Sequence, residues 1–122
     1  MDNLCDIFKI LSDESRLRVV MLLYRERLCV CQLSGVLGLS QPRVSKALSK
    51  LRDVGLVKDV RQDRFVFYSL VEVEGEGNGL LGLILGGVVA NIGDYPVLVE
   101  DFKRLGFKED LLDGCVVPVS ID

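Results

Sequence analysis

One short junction near the middle of the chain constrains the fold more than any other feature. Gly38, Leu39 and Ser40 separate two segments whose apolar residues recur with helical periodicity, and each segment is only long enough for a short helix. Gly38 can end the first helix, and Ser40 can cap the second, where Pro42 falls in the first turn and its missing N–H costs little. The sequence therefore predicts two short helices joined by a tight turn.

The helix after this junction has two chemically different faces. Four residues at helical spacing form its apolar face: Val44, Ala47, Leu48 and Leu51. The opposite face is polar and basic: Gln41, Arg43, Ser45, Lys46, Ser49 and Lys50. Any surface helix has a polar face, but this one has no acidic residue between positions 41 and 52, which favours a surface that binds an anion.

Three further helices and a β-hairpin are predicted around this helix. Apolar periodicity predicts the helices before it: one over Leu4–Leu11, one containing Leu17–Tyr24 with Ser12 as its N-cap, and one over Val30–Leu37. After it, residues rich in Val, Phe and Tyr predict two strands: Val57–Val60 and Arg64–Leu70. The predicted fold is mainly α with a β-hairpin wing, a winged helix-turn-helix in the order α-α-α-α-β-β-α.

Charge is distributed unevenly along the chain, whose net charge is −3. Residues 41–70 carry seven basic and three acidic residues, whereas residues 71–122 carry ten acidic and three basic residues. A basic middle within an acidic chain indicates a local anionic partner. With the predicted fold, that partner is expected to be double-stranded DNA.

A helix that enters the major groove of DNA presents its N-terminal residues to the base edges. Gln41 can pair with adenine and Arg43 with guanine through two hydrogen bonds each. The residues expected at phosphates on this helix are Ser40, at the helix N-terminus, together with Ser45, Lys46 and Lys50. From the wing, Arg61 and Arg64 are expected to reach the flanking backbone or the minor groove.

The C-terminal part of the chain has a different composition. Residues 80–92 alternate glycine with Leu, Ile and Val and predict a buried helix, in which Gly82 and Gly86 leave one face smooth. A helix this apolar needs a partner surface, and a second copy of the chain is the simplest one, so a homodimer is expected. Further helical segments are predicted over Val97–Leu105 and around Leu111. We divide the chain into a DNA-binding core with a thiolate site, residues 1–70, and a C-terminal dimerisation helix with an acidic tail of the same domain, residues 71–122.

Several functional classes are disfavoured by composition. The longest apolar run, Leu80–Ala90, is shorter than the roughly 20 residues that cross a bilayer, and no signal peptide pattern follows Met1. We therefore expect a soluble, cytoplasmic protein that uses no membrane and whose thiols stay reduced. With no histidine, no phosphate-binding glycine loop and no nucleophile motif, the chain is not expected to be an enzyme.

Two of the four cysteines stand one residue apart, in Cys29-Val30-Cys31. Free cysteines usually pack as small apolar residues, but a paired arrangement of thiolates suits soft ions such as As(III), Sb(III), Cd(II), Pb(II) and Zn(II). In a regular helix, the side chains of Cys29 and Cys31 would point about 200° apart, since each residue advances roughly 100°. Binding one ion through both would therefore unwind the first helical turn.

The motifs together resemble the ArsR/SmtB family of metal-responsive transcriptional repressors, most closely its arsenic-responsive branch. The resemblance covers residues 4–70 and rests on "FKILSDESRLRVVMLL", "LCVCQL", "LGLSQPRVSKALSKLRDVGLV" and "RFVFYSL". It implies a homodimeric winged-helix repressor, with terminal helices at the dimer interface, whose operator affinity falls when metal binds. Members that sense zinc, nickel or cobalt through the terminal helix use histidine with carboxylates, and this chain has no histidine.

The chain departs from the resemblance at one ligand position. Several arsenic-responsive members have a third cysteine three residues after the pair, where this chain has Ser34. Cys5, which corresponds to the N-terminal cysteines that other members recruit, and Cys115 in the tail are the candidates for a third ligand, although each can also be an ordinary packing or surface thiol.

The leading hypothesis is a repressor released from its operator when As(III) or Sb(III) binds cysteine thiolates, with no obligatory cofactor. Arsenite needs only three thiolates, or two plus an external thiol, and so fits this supply of cysteines. Two alternatives stay open with the same fold: Cd(II), Pb(II) or Zn(II) as the inducer, or a redox or reactive-sulfur response through Cys29 and Cys31. A third alternative is a dimeric interaction module with a structural thiolate–metal site.

Overall fold

The computed structural model describes residues 2–71 and 79–107. Its elements, in chain order, are α1 (Asp2–Leu11), α2 (Glu14–Arg25), β1 (Leu28–Cys29), α3 (Val30–Leu37), α4 (Gln41–Asp53), β2 (Val57–Gln62), β3 (Phe65–Leu70), α5 (Gly79–Ala90), a 3₁₀ turn (Ile92–Asp94) and α6 (Pro96–Leu105). This order confirms the predicted mainly α winged helix-turn-helix and adds a short strand before α3. The helix predicted around Leu111 lies outside the described residues.

The helix-turn-helix unit forms as its local signals predict. Gly38 ends α3 in the left-handed conformation, with φ 69°, and its N–H donates to the carbonyl of Ser34 at 2.9 Å. Ser40 caps α4, since its hydroxyl accepts a hydrogen bond from the N–H of Arg43 at 3.3 Å. All four residues of the predicted apolar face of α4 are buried: Val44, Ala47, Leu48 and Leu51. The junction is therefore correctly predicted from local sequence alone.

The start of α2 lies one residue later than predicted. Ser12 was expected to be the N-cap, but its hydroxyl donates to the carbonyl of Lys9 at the end of α1, at 2.7 Å. Asp13 caps the helix instead, because its carboxylate accepts a hydrogen bond from the N–H of Arg16 at 3.0 Å. Both residue types are good caps, and the way α1 ends decides between them.

The three strands form one antiparallel sheet in the order β1-β3-β2. The wing hairpin is tighter than predicted: β2 continues to Gln62, which pairs with Phe65, so only Asp63 and Arg64 form the turn. Asp63 has φ 58°, a left-handed conformation that aspartate tolerates better than most residues. The predicted first strand, ending at Val60, was therefore two residues too short.

The core surrounds α2, whose residues Val19–Leu23 are all buried, and the terminal helices pack against it unevenly. From α5, Leu85 is fully buried, whereas Leu83 is 75% exposed. On α1, Ile10 is buried, whereas Phe8 is 53% exposed. Among the described helices, none is long and apolar enough to cross a membrane.

Candidate DNA-reading surface and cysteine site

The residues predicted to contact DNA all lie on the surface. Each is exposed in the structure: Ser40, Gln41, Arg43, Ser45, Lys46, Lys50, Arg61 and Arg64. Those on α4 lie on the face opposite its buried residues, because the apolar residues and the polar residues each recur at helical spacing. Arg61 lies in β2 and Arg64 in the turn of the wing. Helix and wing thus both carry exposed cations.

The N-terminal turn of α4 is supported by α2. The guanidinium of Arg43 donates to the hydroxyl of Ser15 at 3.0 Å, and the hydroxyl of Ser40 is engaged in capping. Ser40 therefore caps α4 through its hydroxyl oxygen and keeps its hydroxyl proton for donation to another group. Ser15 belongs to no sequence motif. It supports Arg43 only because the fold brings the two side chains within hydrogen-bonding distance.

A basic cleft lies beside this turn and extends the cationic surface beyond the predicted residues. It is lined by residues of α2, its cap and α4: Asp13, Ser15, Arg16, Arg43, Lys46, Ala47 and Lys50. The Nε of Arg16 donates to the carbonyl of Ile10 at 2.8 Å, which holds this cation against the end of α1. Sequence reasoning missed Arg16, because it falls in the apolar-periodic part of α2 and away from the basic segment.

The two paired cysteines occupy different structural environments. Cys29 is the last residue of β1, pairs with Phe67 of β3 and is 3% exposed. Its N–H donates to Oε1 of Gln32 at 3.0 Å, and its backbone is extended. Cys31 lies in the first turn of α3 and is partly exposed. Helix α3 begins at Val30 as predicted, and the angle of about 200° expected in a regular helix does not describe this pair, because Cys29 pairs with β3 and has an extended backbone.

Cys31 contacts the first residue of α4. The side-chain amide of Gln41, the first residue of α4, donates to Sγ of Cys31 at 3.6 Å. Cys5 and Cys29 are free thiols. Cys29 and Cys31 are therefore not bonded to each other.

Of the two candidates for a third ligand, Cys5 and Cys115, the structure describes only Cys5. Cys5 is an exposed thiol on α1, and Cys115 lies outside the described residues. The hydroxyl of Ser34 donates to the carbonyl of Leu39 at 2.5 Å, so this side chain braces the turn between α3 and α4. Within residues 2–71 and 79–107, no three Cys, Asp or Glu side chains lie close enough together to hold a metal ion.

The sequence is similar to a family of bacterial regulators. Residues 13–59 match the family model described as "Bacterial regulatory protein, arsR family". The arsenical resistance operon repressor of Escherichia coli K12 is 48% identical over 65 residues, and the arsenic resistance transcriptional regulator ArsR1 of Pseudomonas putida is 45% identical over 65 residues. These regions are 52% of this chain and 56% and 51% of those proteins, so the chain spans about half the length of these relatives.

Two further similarities cover more of the related chains. An uncharacterised HTH-type transcriptional regulator of Methanocaldococcus jannaschii is 32% identical over 72 residues, which are 58% of this chain and 81% of that protein. Reduced HlyU from Vibrio cholerae has a TM-score of 0.62 at 29% identity, covering 71% of this chain and 85% of HlyU. The relatives named as regulators agree with the prediction that the chain is not an enzyme.

Proposed function

Because the chain belongs to the ArsR family of bacterial regulatory proteins, we propose that it is a transcriptional repressor that leaves its operator when As(III) or Sb(III) binds Cys29 and Cys31. The observation that carries this proposal is the contact between the amide of Gln41 and Sγ of Cys31 at 3.6 Å. One of the two proposed ion ligands thereby touches the first residue of the helix that reads DNA.

Operator binding follows from the exposed cations of α4 and the wing. Gln41 and Arg43, at the N-terminus of α4, would contact base edges in the major groove. Phosphate contacts would come from the remaining cations, with Arg16 added to the predicted set: Lys46, Lys50, Arg61 and Arg64. Such binding weakens with salt, by about 0.9 log unit of affinity per log unit of salt for each phosphate neutralised.

The inducer would act by drawing both sulfur atoms towards one ion. Cys29 is held in the sheet by its pairing with Phe67 and by the hydrogen bond from its N–H to Gln32. Cys31 lies in the first turn of α3 and is partly exposed, so we take it as the ligand that would move. Its movement would break the contact with Gln41. The loss of operator affinity would equal the difference in ion affinity between the free and the DNA-bound protein.

Two thiolates provide an incomplete site for a trigonal ion, and the third donor would be Cys5, Cys115 or an external thiol. As(III) is favoured over other soft ions because it accepts three thiolates without a fourth ligand, and because relatives at 48% and 45% identity are named as arsenic resistance regulators. No cofactor is required for DNA binding in this scheme.

The repressor would act as a homodimer in the cytoplasm. Helix α5 is apolar on every side, yet Leu83 and Leu80 are exposed, as is Phe8 of α1. Exposed large apolar side chains on the terminal helices α1 and α5 indicate a surface that a partner covers. With a second copy there, residues 1–70 would form the DNA-binding core and residues 71–122 the dimerisation part of the same domain.

The test is operator binding by fluorescence anisotropy, with the protein reduced by a phosphine so that no external thiol is present. The operator is a duplex recovered by selection from random DNA, and a scrambled duplex is the control. Arsenite, cadmium and zinc are titrated in parallel. We expect arsenite to weaken operator binding by about 5–150-fold and to leave binding by Cys29→Ser unchanged.

Serine variants at the other thiols show how the site is completed. Cys5→Ser and Cys115→Ser, made separately, should respond normally to arsenite unless the altered residue is the third ligand. A Cys29→Ser protein that still dissociates normally with arsenite would contradict the proposed site. A larger response to cadmium than to arsenite would assign a different inducer to the same thiolates.

A second candidate is a redox response through Cys29 and Cys31, of which Cys31 is partly exposed to solvent. Two thiols would be oxidised to a disulfide, and a peroxide would accept their two electrons and two protons and become water. In that case peroxide alone would change operator affinity, and dithiothreitol would restore it without any metalloid. If peroxide at one equivalent has no effect on reduced protein while arsenite does, the redox candidate fails.

A further inference from the structure

The C-terminal end of α3 is held by two arginines, one from α2 and one from α6. Arg104 of α6 donates from Nε to the carbonyl of Val36 at 2.6 Å and from Nη2 to the carbonyl of Gly35 at 3.0 Å. Arg18 of α2 donates from Nη2 to the carbonyl of Leu37 at 3.0 Å. The two guanidinium groups therefore bind three consecutive carbonyls at the end of one helix.

This arrangement satisfies a general requirement of helices. The last four carbonyls of an α-helix have no partner within it. In α3, the carbonyl of Ser34 accepts from the N–H of Gly38, and the other three accept from Arg18 and Arg104. The partial negative charge at a helix C-terminus also attracts cations. The end of α3 is thus fully bonded, mainly by charged groups from outside the helix-turn-helix unit.

Asp101 of α6 completes the group. Its carboxylate, only 2% exposed, forms two hydrogen bonds of 2.9 Å with the guanidinium of Arg18. Asp101 and Arg104 lie three residues apart and therefore on the same side of α6, where Leu98 and Leu105 are also buried. We call Arg18, Asp101 and Arg104 the α3 clamp. None of them lies on the exposed face of α4.

We propose that the α3 clamp positions the recognition helix for operator binding. Helix α4 begins only four residues after α3 ends, through a turn also braced by the hydrogen bond from Ser34 to the carbonyl of Leu39. Fixing the end of α3 therefore fixes the start of α4, where Gln41 and Arg43 lie. Arg18, Asp101 and Arg104 are positioning residues, and this role rests on the proposed operator binding.

The clamp should affect specific binding more than non-specific binding. Hydrogen bonds to base edges require the side chains to be placed within about half an ångström, whereas phosphate contacts tolerate small shifts because long cationic side chains can follow the backbone. Loosening the turn would then reduce the operator affinity and leave the affinity for scrambled DNA nearly unchanged. A purely stabilising role would change neither affinity in a folded protein.

Two neighbouring substitutions on α6 form a matched test. Arg104→Gln and Lys103→Gln each remove one positive charge, but Lys103 is exposed and its side chain makes no contact with α3 among the described interactions. Dissociation constants are measured at one salt concentration for the operator and for a scrambled duplex of equal length. We expect Arg104→Gln to bind the operator about tenfold more weakly than Lys103→Gln does, with equal affinities for the scrambled duplex.

Arg104→Lys is a second variant that should fold even if Arg104→Gln does not, because lysine keeps the positive charge and can still donate to one carbonyl. It should show an intermediate operator affinity, and amide exchange at Gly38 and Leu39 should be faster than in the unmodified protein. Equal operator affinities for Arg104→Gln and Lys103→Gln overturn the proposal, as does an equal loss on both duplexes. If the unmodified protein itself shows no preference for the operator, then the proposed function fails and the positioning role fails with it.

Discussion

The two ends of α3 are held by different chemistry. At its N-terminal end, Cys29 and Cys31 make contacts through sulfur and through neutral amides, including the 3.6 Å contact with Gln41. At its C-terminal end, two guanidinium groups bind three carbonyls at 2.6–3.0 Å. Charge-assisted hydrogen bonds are roughly twice as strong as neutral ones. A ligand at the N-terminal end would therefore distort that end first, while the clamp holds the other.

This contrast suggests how a response could reach DNA. If the backbone at the end of α3 is held, the signal from an ion at Cys31 would pass through the side-chain contact with Gln41 rather than through the turn. The clamp would also confine the response to the start of α4. Substitutions at each end of α3 test the two ends separately.

The largest expected effect is at the clamp. Asp101→Ala leaves the guanidinium of Arg18 without its carboxylate in a site that is 16% exposed, and it should lower the free energy of unfolding by about 3 kcal/mol. Urea unfolding followed by circular dichroism measures this change. Glu100→Ala, at the exposed neighbouring position, is the control and should change stability by less than about 0.5 kcal/mol. Equal effects of the two substitutions would show that the ion pair does not hold α6.

A smaller effect is expected at the N-terminal end. Gln32 is 3% exposed and accepts the hydrogen bond from the N–H of Cys29, so Gln32→Met keeps the volume but leaves that N–H without a partner. We expect a loss of about 1–2 kcal/mol in the free energy of unfolding. Gln41→Met, at an exposed position whose only described hydrogen bond is to sulfur, should cost much less. A larger loss for Gln41→Met would reverse the comparison.

A loss at the lower end of that range is expected at Ser34, which lies between the two ends of α3. Ser34→Ala removes the hydrogen bond to the carbonyl of Leu39 and should cost about 1 kcal/mol. Ser34→Cys should cost a similar amount, but it places a third thiol one helical turn after Cys31. Arsenite binding to the reduced protein, measured by ultraviolet absorbance, should then strengthen by about tenfold. Unchanged arsenite affinity would argue against a site on this face of α3.

Local signals account for the parts of the fold that were predicted correctly. Gly38, Ser40 and the buried stripe of α4 each depend on residues within one or two helical turns, and the structure agrees with them. Where two local signals compete, as at Ser12 and Asp13, sequence reasoning chose the wrong cap. The structure of the cysteine site was predicted less well, because Cys29 takes its conformation from Phe67, a residue distant in the sequence.

The sequence by itself determined the fold class, the bounds and buried face of α4, and the spacing of Cys29 and Cys31, since these follow from periodicity, capping and position in the chain. Only the tertiary structure decided that Ser15 supports Arg43, that Ser34 braces the turn, and that Asp101 lies against Arg18. Arg18 and Asp101 are 83 residues apart in sequence. No local pattern marks such a pair, because the free energy that brings it together comes from burying α6 against α2 and α3.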